Sequence, residues 1–258
     1  MLILSGKRVY MKRTLVYRMV FYLAGLFVLA LGLTLNTKAG LGVSPIISVS
    51  FSVSTIWNFN FGNTTLVLYA VFVVAEMVLH LLQYRRFRAR AAVQEIGHAK
   101  KIDLRLTLLL DALQFPLSLI FTRFLNVFSA WIPTLETDCA GTFAGTFPGR
   151  LLFLCLAIVL TGVGAAASLD MRLVPNPGDG IVQAIADTIG KSVGFTKNCF
   201  DVCNISVTLL ISFLFAGRLT GVGIGTVVAV IGVGRVIALF NHIALRPMAQ
   251  RAGLEPST

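Results

Sequence analysis

The chain has 258 residues, 56% of them hydrophobic and only 13% charged. A soluble domain carries about 25% charged residues, so a solvated globular surface is excluded. The net charge of +11 would suit a nucleic acid, but seven basic residues lie between Arg85 and Arg105 and five in the N-terminal stretch up to Arg18. Basic clusters between apolar runs mark cytoplasmic loops of membrane proteins, and nucleic acid is not an expected partner.

Residues 1–15 read as a basic cytoplasmic leader. The uncharged run Met19–Leu35 follows, within a first span at about 16–35. Its basic leader fits a signal peptide. The run is too long for one and no small-x-small cleavage site follows, so it is read as a permanent span. Met11 opens a second plausible start, "MKRTLVYR". Further spans are expected at about 65–83, 105–127, 150–169, 198–217 and 222–241.

Two shorter segments, about 44–58 and 178–193, each follow a proline. In the first, Ser48, Ser50, Ser52 and Ser54 alternate with apolar residues, which is a strand pattern. A lone strand in lipid leaves its backbone polar groups unpaired. A helix is therefore expected, with its serines bonding back to carbonyls one turn earlier or lining a wet cavity. In the second, Ile181, Ile185 and Ile189 share one helical face and Gln183, Asp187 and Lys191 another. This is an amphipathic helix too short to span. Asp179 at its start is read either as a cap on free N–H groups or as a substrate contact.

The halves look like copies. Gly32 and Pro45 are repeated as Gly164 and Pro177, at an offset of 132 positions. The same offset carries Gly62 onto Gly194, Thr64 onto Thr196 and Arg86 onto Arg218. The positive-inside rule then places the N-terminus, the basic loop 84–104, residues 170–197 and the tail 242–258 in the cytoplasm. The loop 128–149, with Glu136 and Asp138, falls outside. The expected fold class is an all-α membrane protein with about six transmembrane helices and two short helices. They form two inverted three-span repeats, 16–127 and 150–241. Inverted repeats with short elements near their axis recur in transporters.

Ionisable groups at membrane depth usually face a partner or a wet cavity. Glu76, Asp111, Asp201 and Arg235 are such groups. Asp111 and Arg235 occupy equivalent spans and are expected to pair. Asp201 is set to pair locally with Lys197, four residues before it, and Glu76 to reach the cytoplasmic interface. No HExxH, GxSxG, P-loop or metal-ligand spacing is present, so neither an enzyme nor a cofactor is expected. Cys139, Cys155, Cys199 and Cys203 form no CxxC and read as small apolar filler. The glycines Gly221–Gly225, Gly232 and Gly234 read as sites of close helix packing.

"LNTKAGLGVSP" (Leu35–Pro45), "RLVPNPGDG" (Arg172–Gly180) with "GFT" (Gly194–Thr196), and "GRLTGVGIGTVVAVIGVG" (Gly217–Gly234) resemble signatures of the YczE/YitT-type family of bacterial inner-membrane proteins. The similarity covers roughly residues 16–85 and 150–241. It implies a multi-pass inner-membrane protein with a repeated core, and no substrate. Family members often carry an acidic residue two places after the proline. Asp179 fills that place here, while Ile47 departs from it.

The expected function is a permease for a small molecule or ion. Asp179, Asn176, Ser44 and Asp201 would face a polar cavity where the short helices meet. The alternative is a non-transporting scaffold or regulator, acting through loop 84–104 on a cytoplasmic partner or on anionic lipid.

Overall fold

The computed structural model describes residues 2–93 and 103–254, with side chains described for 14–89 and 103–254. The side chains of the leader to Arg13, most of the central part of the basic loop and residues 255–258 lie outside the described residues, His98, Lys100 and Lys101 among them.

Eight α-helices make up the described chain, with no strand among the described residues. They are α1 (Leu2–Lys38), α2 (Pro45–Ile56), α3 (Phe61–Val93), α4 (Leu104–Trp131), α5 (Phe147–Leu169), α6 (Pro177–Ile189), α7 (Val193–Ile211) and α8 (Ile224–Ala252). Six of them, all but α2 and α6, contain stretches long and apolar enough to cross a bilayer. Their exposed faces are apolar: Val67, Val71, Val74 and Val78 stand outward along α3. Polar residues such as Asn36, Ser48, Glu76, Asp111 and Gln114 are buried. That inverted distribution suits lipid as the surrounding solvent.

The six long helices fall where apolar length predicts, several of them longer. α8 runs on to Ala252, and Gly253 stops it in the left-handed conformation at φ 65°. The fifth span ends in a π turn over Ser212–Ala216, closed by Gly217 at φ 62°.

The two short segments are helices, as expected. Pro45 and Pro177 each occupy the first turn, where a missing N–H is no loss. In α2, Ser48, Ser50 and Ser54 donate to the carbonyls of Pro45, Ile47 and Phe51 at 2.7, 3.0 and 2.8 Å. Back-bonding of this kind lets alternating serines sit in a helix. In α6 the cap is Asn176, whose side chain accepts from the Gly178 N–H at 3.4 Å. Asp179 does not take the capping role expected for it.

The centre of the molecule is the antiparallel crossing of α1 and α5. A Cβ on Gly32 would lie 2.5 Å from the Thr161 nitrogen, and one on Gly164 would run into the Leu29 nitrogen. These two contacts exchange under the offset of 132: Gly32 becomes Gly164, and Thr161 becomes Leu29. Small residues here let two backbones approach.

The same exchange recurs elsewhere. Arg18 donates to the Met171 and Arg172 carbonyls at 2.8 and 3.0 Å, and Arg150 to those of Ala39 and Gly40 at 2.8 and 2.7 Å. Gly40 and Arg172 both adopt the left-handed conformation, at φ 66° and 47°. The Ser48 and Thr208 hydroxyls bond at 2.7 Å between α2 and α7. Their counterparts, Gly180 and Glu76, touch between α6 and α3. Each of these contacts maps onto its partner contact under the offset of 132.

Candidate functional site

α2 and α6 meet at their first turns. A Cβ on Gly178 would run into the Ile46 side chain, and these two positions are each other's equivalents at the offset of 132. Proline starts both helices, and the absence of a side chain at Gly178 lets them touch. Polar groups collect beside this meeting point, on the α6 side.

Tyr69 of α3 is 1% exposed and meets the Asn176 side chain. Both line a cavity of about 10 Å³, with Tyr22, Gln114, Ser118 and Pro177. That is room for about one water. The Tyr22 hydroxyl donates to the Val174 carbonyl at 2.9 Å, which fixes the loop entering α6. Gln114 has an unpartnered, buried Oε1, an acceptor without a donor in a site small enough to hold one.

Half-buried Asp179 lies within electrostatic range of Tyr69, Lys197 and Asp201. Lys197 bridges to Asp201 at 3.6 Å, the local pair its spacing predicts. The other Asp201 oxygen, Oδ1, is buried without a partner. The expected set therefore assembles only in part. Asn176, Asp179 and Asp201 gather around Tyr69 and Lys197. Ser44 stays at the head of α2, its N–H donating to Asn36 Oδ1 at 3.1 Å and its side chain making no cap bond. The repeat-turn glycines also separate in role: the Gly62 N–H donates to Asn126 Oδ1 at 2.9 Å, while Gly194 has open space around it.

Two expectations fail. Asp111 does not pair with Arg235. It pairs with His80 of α3 at 2.8 Å, and Arg235 is exposed on α8 with no ion pair among the described residues. The reason is packing: α4 lies along α3, which brings Asp111 to His80. Nor does Glu76 reach the interface. It is 3% exposed, and Gln114 Nε2 donates to both its oxygens at 2.9 Å. α6 covers it from the other side, since a Cβ on Gly180 would lie 2.5 Å from Glu76 Oε2. Gln83, two turns further along α3, donates to the Ala184 carbonyl and the Thr188 hydroxyl at 3.0 and 2.8 Å. These bonds hold α6 on α3 above the carboxylate.

Sequence reasoning passed over Gln114, Tyr69 and Gln83, since one polar residue in an apolar helix carries no periodic signal. Arg18 and Arg150 had a signal: they stand 132 positions apart, at the offset that Pro45 and Pro177 define.

The six apolar helices, the lipid-type exterior and the buried polar interior define a multi-pass helical membrane protein. Residues 16–242 match the family of unknown function DUF6198, and the chain belongs to that family. It is 24% identical over 228 residues to the uncharacterized membrane protein YczE of Bacillus subtilis, covering 88% of this chain and 86% of that one. It is 33% identical over 97 residues to an uncharacterized protein of Haemophilus influenzae, covering 38% of this chain and 41% of that one. No solved structure matches.

Proposed function

We propose that this protein is a permease of the bacterial inner membrane for a small molecule or ion, built from two inverted three-span repeats. Both termini are cytoplasmic in this reading, because that orientation keeps the basic loop 84–104 inside. The observation that carries it is the meeting of α2 and α6 at Ile46 and Gly178. Two short helices, each following the first span of its half, converge beside a group of buried polar side chains. Broken elements at a repeat interface are where transporters place their sites. The antiparallel run of α1 and α5, equivalent helices in the two halves, supports the inversion.

In this reading Asp179, Asn176, Tyr69 and Asp201 contact the solute. The carboxylates outnumber the one cation, Lys197, so the pocket suits a cation or an amine. One half rocks against the other to change its access. The protein carries out no catalysis, and its cytoplasmic arginines, Arg85, Arg86 and Arg88, lie against anionic lipid.

Purified protein in liposomes, screened for uptake of inorganic cations, polyamines and amino acids, tests this. Uptake of one solute, lost in Asp179→Asn and retained in Arg235→Gln, supports the permease. No uptake of any of them by folded wild-type protein, or full uptake by Asp179→Asn, refutes the site.

A further inference from the structure

We propose that Glu76, His80 and Asp111 form a binding site for a first-row divalent metal ion, with Gln114 as a supporting oxygen ligand. This site borders the pocket beside Asn176 and Tyr69, with Gln114 lining both, and the inference stands whether or not the protein transports a solute.

The three residues each offer one ligand atom, and these atoms lie within 4.8 Å of one another. Glu76 and His80 are four positions apart on α3 and share a face. Asp111 comes from α4, held against that face by the His80 contact at 2.8 Å. Ligands at ~2.0–2.2 Å from one ion lie no more than about 4.4 Å apart. In a tetrahedral site such ligands lie about 3.4 Å apart, so side-chain adjustments of about an ångström close the set. One imidazole nitrogen with two carboxylate oxygens suits zinc and its first-row neighbours rather than the all-oxygen cages of calcium or magnesium.

Charge gives an independent argument. Glu76 is 3% exposed and Asp111 is 3% exposed, both inside apolar spans. Among the described residues no Lys or Arg forms an ion pair with either. Their partners are His80 for Asp111 and the Gln114 amide for Glu76, and a buried carboxylate without a full counter-charge is costly, more so at membrane depth. Two carboxylates and a neutral imidazole cancel the charge of one divalent ion.

Gln114 supplies the second observation. Its side chain is 1% exposed, its Nε2 lies 2.9 Å from both Glu76 oxygens, and its Oε1 has no partner. With a half-turn of the amide, Oε1 takes the place of Nε2 beside the carboxylate. Two oxygens about 3 Å apart repel unless a cation lies between them, and that is the spacing of neighbouring oxygens on one ion at ~2.1 Å. In the ion-free structure Nε2 faces Glu76, so the half-turn accompanies metal binding. Gly180 completes the recess, because any side chain there would press on Glu76.

The test uses full-length protein with all four cysteines replaced by serine, since Cys199 and Cys203 are free and exposed and would bind zinc themselves. The protein is stripped with chelator in detergent and dialysed against micromolar Zn²⁺. Metal content is then measured, with Co²⁺ as a spectroscopic probe of a site containing nitrogen. The expected result is about one zinc per chain, lost in Glu76→Gln and in His80→Gln. Gln114→Ala should weaken binding by about 10–100-fold, and His242→Ala should leave it unchanged. Helical content and monodispersity are followed for every variant. Should a ligand variant fail to fold, zinc-induced shifts of the imidazole resonances in the His98→Ala/His242→Ala protein, whose one remaining histidine is His80, report on that residue directly. Folded protein that takes up no zinc, or zinc uptake unchanged in folded Glu76→Gln, or His80 resonances that do not move with zinc, overturns the proposal.

Discussion

Replacing Arg150 with alanine should destabilise the protein by about 2–3 kcal/mol. The guanidinium donates through Nε to the Ala39 carbonyl at 2.8 Å and through Nη2 to the Gly40 carbonyl at 2.7 Å. These carbonyls belong to the end of the first span, where the helix leaves its last acceptors unpaired. A hydrogen bond from a charged donor contributes about 1.5–3 kcal/mol. Two of them sharing one side chain at the edge of the protein are taken at the low end. The bridge from Arg150 to Glu136, at 3.0 Å, adds little because the Glu136 side chain is 56% exposed. Arg18→Ala should cost a similar amount, since it removes the equivalent bonds to Met171 and Arg172. Lysine should rescue neither, because an ammonium cannot hold two carbonyls in a fixed fork. In detergent, thermal unfolding followed by circular dichroism should show a fall of roughly 5–10 °C for each alanine variant and almost none for Glu136→Ala. Arg150→Ala that melts with wild type, or Glu136→Ala that melts as low as Arg150→Ala, would refute the reasoning.

The α1–α5 seam predicts opposite outcomes for two glycines. Gly164→Ala places a Cβ against the Leu29 backbone and should cost about 1–3 kcal/mol. Gly234→Ala in α8 meets nothing within 4 Å and should be neutral or gain up to about 1 kcal/mol from helix propensity. Thermal melts of the two variants check both. In the loop before α5, the Thr134 N–H and the Thr137 hydroxyl each donate to Asp138 at 2.8 Å, and the backbone bond is the larger cause holding this carboxyl below its ordinary value. A depressed carboxyl favours the folded turn above its unfolded value of about 3.9. That preference is lost as pH falls toward the folded value. An NMR titration of Asp138 should give a lower midpoint in wild type than in Thr137→Ala.

The architecture was legible where physics acts along the chain. Run length located the six spans, and proline with the cost of an unpaired backbone in lipid made helices of 44–58 and 178–193. The alternating serines of α2 gave a misleading strand signal, because a serine bonding back to its own helix needs no partner strand. What was not legible depended on which helices touch. Asp111 and Arg235 lie in equivalent spans, yet the packing of α4 along α3 gives Asp111 His80. Glu76 and His80 stand four apart on one helix, which matches no metal signature in the sequence, and the second carboxylate, Asp111, comes from another helix. Asn176, rather than Asp179, caps α6, because it stands one place before the proline that opens the helix.

The inverted arrangement is tested most directly by the sidedness of single cysteines in a cysteine-free protein in intact cells. Phe59→Cys, Gly141→Cys and Lys191→Cys sit at exposed positions, after α2, before α5 and after α6. With inverted repeats, a membrane-impermeant thiol reagent labels positions 59 and 141 from outside, and position 191 only after the cells are opened. If 59 and 191 label from the same side, the short helices cross the membrane, the repeats are parallel, and the permease built on their meeting is wrong.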